Sequence, residues 1–164
     1  MGRFFSNINI KNNWQSSQQF IELLNKAMEK RGLIPSTEED ESISYALAFS
    51  ENDDWLTLCS PDYESDEACV RLDVQWLAEA LNTCCISTTV VDSDFSILEM
   101  YNGTSSMTDM VIVGDGSGYG FDDDTAFKGK RECWEMLLTE NSTWEQLSEV
   151  WNGDFTFAEE GLEQ

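Results

Sequence analysis

The sequence predicts an α+β fold, in which an antiparallel or mixed β-sheet is covered on one face by helices. Three observations point to it. Residues 43–49 set Ile43, Tyr45, Leu47 and Phe49 against Ser44, Ala46 and Ala48, the period-two alternation of a half-buried strand. Residues 66–81 instead repeat their apolar side chains at helical spacing. The chain of 164 residues also carries 9 Phe, 6 Trp and 4 Tyr with only 2 Pro, enough apolar mass for a core despite its high charge. A length of this order corresponds to one domain, which buries roughly 70% of the surface its unfolded chain exposes. No internal repeat and no linker divides the chain, so residues 1–164 are expected to form a single globular domain with a short acidic C-terminal tail.

The elements follow in order. Residues 3–10 are apolar and partly alternating, as in a first strand. From an N-cap at Ser16 or Ser17, Phe20, Ile21, Leu24, Ala27 and Met28 recur at helical spacing until Gly32 stops the run. A loop with Leu33, Ile34 and Pro35 leads through Glu38, Glu39, Asp40 and Glu41 to the alternating strand. Asn52, Asp53 and Asp54 supply turn chemistry, and residues 55–59 return as its hairpin partner. After a loop over 60–65, two apolar columns run along the second helix, one of Cys69, Leu72, Trp76 and Ala80 and one of Val70, Val74, Leu77 and Leu81. Residues 85–91, 95–101 and 110–113 then read as a β-meander. Two C-terminal helices are expected, over 132–138 and from a capping-box pattern at 142–146, with Phe155 and Phe157 in a closing strand. The order through residue 91 is β-α-β-β-α-β, the ferredoxin-like order, followed by extra strands and the two C-terminal helices.

Charge bounds the function. With 32 Asp plus Glu against 9 Lys plus Arg, the formal net charge is −23, which repels the phosphates of nucleic acids and anionic membranes. Neither is expected as a partner. The charge is uneven: residues 1–31 hold five basic and two acidic side chains, whereas 32–127 hold twenty-one acidic residues and one basic residue, Arg71. Like charges at this density cost self-repulsion and make the surface a target for a basic protein.

Catalytic machinery is hard to assemble from these residues. The chain has no histidine, which removes Ser-His-Asp and Cys-His chemistry and the commonest transition-metal ligand. Its five cysteines, Cys59, Cys69, Cys84, Cys85 and Cys133, are odd in number and form no C-x-x-C pair. They read as reduced, mostly buried thiols, consistent with a cytoplasmic location. No run of about 18 apolar residues is present to span a bilayer. The Gly2 and Ser6 spacing loosely fits N-myristoylation, but Phe4, Ile8 and Ile10 fit the start of a strand better.

The glycine-rich stretch 114–120 follows an apolar run and invites comparison with G-x-G-x-x-G. The spacing fails, because Tyr119 or Phe121 stands where the last glycine belongs and Asp122, Asp123 and Asp124 follow where a phosphate would bind. No window matches an EF-hand. No catalytic residue, metal ligand or cofactor is therefore assigned. The residues expected to contact a basic protein partner are Glu38, Glu39, Asp40 and Glu41, together with Asp115, Tyr119, Phe121, Asp122, Asp123 and Asp124. The expected function is an acidic protein-binding module of inhibitor or immunity type. The alternative is a carboxylate-based or divalent-metal-dependent hydrolase, for which the acids are too numerous to single out a pair.

Overall fold

The computed structural model describes residues 5–36, 44–50, 54–64, 67–92, 95–116, 120 and 127–153. Its strands are β1 (Phe5–Lys11), β2 (Ala46–Phe49), β3 (Trp55–Cys59), β4 (Cys84–Val91), β5 (Phe95–Asn102) and β6 (Asp109–Gly114). The helices are α1 (Ser17–Glu29), α2 (Glu67–Leu81), α3 (Arg131–Trp134) and α4 (Trp144–Trp151), with short 3₁₀ turns at Pro61–Glu64 and Glu135–Leu137. The strands form an antiparallel sheet in the order β2-β3-β1-β4-β5-β6. The first four thus lie in the order that a β-α-β-β-α-β chain adopts in the split βαβ arrangement, and β5 and β6 extend the sheet. The α+β class and the two C-terminal helices are as the sequence predicts.

The chain divides into two compact units. The first comprises residues 6–87 and 101–107. In β1 and β3 the pleat sends Ile8, Ile10, Leu56 and Leu58 to one face, where none is accessible to solvent. Registry holds them opposite one another, Ile8 to Leu58 and Ile10 to Leu56. Phe20 and Leu24 of α1 and Val70, Val74 and Leu77 of α2 complete this core. Full burial of each such side chain contributes about 1.5–3 kcal/mol. Helix α1 starts where Ser16 Oγ accepts the Gln19 N–H (3.2 Å). It stops where Gly32 takes a φ of +78° and the Leu33 N–H donates back to the Met28 carbonyl. Phe20 stacks on Trp14 with ring centroids 4.7 Å apart and meets Phe49 of β2 edge-on, tying the hairpin to the helix.

The second unit contains residues 88–100 and everything described from Thr108 onward. Strands β5 and β6 pair Ile97 with Ile112 and Leu98 with Val111, so successive residues of β6 face opposite ways. Ile112 joins Val91, Phe95, Ile97 and Phe127. Val111 approaches Gly129, against which Trp134 of α3 and Trp151 of α4 also pack. The two indoles meet edge-to-face at 4.9 Å. Helix α4 opens with the expected capping box: Thr143 Oγ1 accepts the Gln146 N–H, and Gln146 Oε1 accepts the Thr143 N–H.

Two expectations are corrected. The stripe on α2 is narrower than two full columns, because Val70, Val74, Leu77, Ala78 and Leu81 fill the buried face while Leu72 is 62% exposed. At about 100° per residue Leu72 lies on the far side of the helix from the centre of that group. The expected loop over 60–65 contains the 3₁₀ turn that buries Tyr63. The proposed closing strand at Phe155 and Phe157 lies outside the described residues.

Candidate functional site

Among the described side chains of helix α2, one carboxylate lies on the buried face. Asp73 follows Val70 by three residues and precedes Leu77 by four, which places its carboxylate at the core boundary, where it is 5% exposed. A carboxylate there needs compensation for lost hydration. Arg31, just beyond α1, donates from Nη1 to Oδ1. The phenols of Tyr45 and Tyr63 both donate to Oδ2, at 2.8 and 2.9 Å. The Arg31 guanidinium also lies over the Trp76 ring, 4.6 Å from its centroid. Tyr45 immediately precedes β2, so this network fastens the start of that strand to α2.

The phenols respond as buried donors to a carboxylate should. Burial and the bond to Asp73 push Tyr45 up to about 12, and burial with the Asp73 charge pushes Tyr63 higher still. The hydrogen bond to Asp73 likewise raises Arg31. In the unfolded chain both phenols ionise near pH 10, whereas the fold retains their protons above it. Stability should therefore fall as pH rises from 10 toward 12, by up to about 1.4 kcal/mol per pH unit for Tyr63. In urea titrations between pH 8 and 11.5, Tyr63→Phe should flatten this loss; an unchanged slope would contradict the network.

The other face of β1 and β3 is mostly polar, carrying Asn7, Asn9, Lys11 and Thr57 beside Trp55. Asn9 accepts from Thr57 Oγ1 (2.8 Å) and donates to Asn7 (3.1 Å), while the Lys11 ammonium sits over the Trp55 ring at 5.0 Å. In the second unit, Asp109 is a further buried carboxylate. It accepts from the Lys130 N–H and from Trp134 Nε1, each at 2.7 Å.

Of the residues expected to contact a partner, Asp115 is exposed directly after β6. Glu38, Glu39, Asp40, Glu41, Tyr119, Phe121, Asp122, Asp123 and Asp124 lie outside the described residues. Among the described residues no group of three or more His, Cys, Asp or Glu side chains is placed to hold a metal ion. Burial raises the thiol of Cys84 to about 11 and that of Cys85 well above its ordinary value, whereas Cys59 is exposed. Among the described residues no helix is long and apolar enough to cross a membrane. Sequence reasoning did not single out the Asp73 network. Its signal was present as a lone acid within the apolar column of α2, but the partners come from 42, 28 and 10 residues away.

Comparison with known proteins finds no matching family model, no matching curated protein and no matching solved structure.

Proposed function

We propose that this protein is an acidic protein-binding module, of inhibitor or immunity type, that engages a partner with a basic surface. The observation that carries this reading is the charge distribution: between Arg31 and Arg71 the sequence has eleven acidic residues and no basic one. Asp62 and Glu64 of that stretch stand exposed on the 3₁₀ turn beside the Asp73 network, and Asp115 is exposed in the second unit. A field of one sign accelerates encounter with an oppositely charged protein and disfavours acidic competitors.

The test begins with a partner recovered by affinity capture at low salt and purified. Replacing Asp122, Asp123 and Asp124 together by Asn removes three charges at constant volume, and replacing Glu38, Glu39 and Glu41 by Gln with Asp40 by Asn removes four. Each set should slow association and flatten its salt dependence. Unchanged association rates at low salt in both variants would overturn the proposal.

A further inference from the structure

Strand β2 is the sheet's outer strand on the side of β3. The Ser50 N–H donates to the Trp55 carbonyl (2.9 Å), which identifies Ser50 and Trp55 as a hydrogen-bonded pair of the hairpin. Such pairs alternate along an antiparallel ladder, so Ala48 with Thr57 and Ala46 with Cys59 are the bonded pairs of this register. The N–H and C=O groups of Leu47 and Phe49 therefore point outward, away from β3, and no described residue pairs with them.

Among the described residues this edge lacks the usual protection. The segment Ala46, Leu47, Ala48, Phe49 has no lysine, no proline, no charge and no positive φ. Its first three residues are exposed, and Leu47, on the core-side face, is 44% accessible. The surroundings are acidic. The ring of Tyr63 meets that of Tyr45 at 6.3 Å, bringing the turn that bears Asp62 and Glu64 to the N-terminal end of β2. At the other end the sequence adds Glu51, two residues after Phe49. A second copy of the chain is a poor occupant, since pairing would bring two molecules of charge −23 edge to edge.

We infer that β2 is the acceptor edge for an extended, lysine- or arginine-bearing segment of the partner, which adds as a strand and bonds to the outward groups of Leu47 and Phe49. This rests on the proposed capture of a basic partner. Main-chain bonds supply the alignment, and the acidic flanks select for basic side chains. The Asp73 network keeps the edge in place by holding Tyr45.

The probe is a fluorescein-labelled octapeptide of alternating lysine and valine, compared at low salt with the same peptide N-methylated at every second residue. N-methylation removes the main-chain donors of one edge and leaves the charge intact. On the protein side, Leu47→Pro removes an outward N–H that β3 does not use, in a strand position where proline is tolerated. The unmethylated peptide should bind saturably, shift the Leu47 and Phe49 amide resonances most, and lose at least tenfold in affinity on N-methylation or on Leu47→Pro. Equal binding of both peptides by both proteins, with salt dependence retained, would overturn the edge-strand inference and leave the basic-partner reading standing. If the wild-type protein bound neither peptide, both would be contradicted. The N-methylated peptide decides the matter on wild-type protein even if Leu47→Pro does not fold.

Discussion

Replacing Asp73 by alanine should destabilise the protein by about 2–4 kcal/mol, chiefly the cost of leaving the phenol donors of Tyr45 and Tyr63 without their acceptor, with a smaller loss from the solvent-exposed Arg31. The carboxylate is the shared acceptor of Arg31, Tyr45 and Tyr63, and the Tyr63 side chain is 2% exposed, so water cannot substitute without opening the core. Asp73→Asn should cost less, since its carbonyl still accepts from a phenol while its amide faces the Arg31 donor. Tyr45→Phe and Tyr63→Phe, made in the Asp73→Ala background, should then be nearly neutral, because each removes a donor that has lost its partner. Urea denaturation measures all of these. A loss below about 1 kcal/mol for Asp73→Ala would mean that the carboxylate is not a structural acceptor.

Gly129→Ala should destabilise by about 2–4 kcal/mol, combining left-handed backbone strain with overpacking. Gly129 has a φ of +79°, and an added Cβ would sit 2.9 Å from both Trp151 Cζ3 and Val111 Cγ2 and 3.2 Å from Trp134 Nε1. Trp134 cannot withdraw freely, because its Nε1–H is bonded to Asp109. Gly32→Ala is the matched control: its φ is +78°, yet nothing lies within 4 Å of the added methyl, so only the backbone cost of about 1–2 kcal/mol applies. Thermal or urea unfolding of the pair separates packing from strain. Equal losses would show that the cradle of Trp134, Trp151 and Val111 yields to the methyl group.

These two sites also show what was legible in the sequence. Strands β1 to β6 are carried by alternation and apolar runs, and α1 and α4 by their caps, because those signals are local and the physics that reads them acts within a few residues. The α2 stripe is narrower than its composition suggests because Leu72 is apolar but faces solvent, while Trp76 packs only partly buried against the core and serves as a platform for Arg31. Asp73 and Gly129 depend on contacts made across the fold, so no spacing rule reaches them. The acidic excess between Arg31 and Arg71 was legible as a charge pattern. The outer position of β2 emerged from the strand order, and its outward groups from the hydrogen-bond register, since Ala46, Leu47, Ala48 and Phe49 look alike in the sequence whether a strand is central or outermost.

The most direct test of the central claim is the salt dependence of the equilibrium between the intact protein and its recovered partner. If the carboxylate-rich surface engages a basic partner, log Kd should rise linearly with log salt concentration, with affinity falling at least about tenfold between 50 and 300 mM monovalent salt and mostly through a slower association rate. A Kd and an association rate that stay constant across that range would contradict the claim.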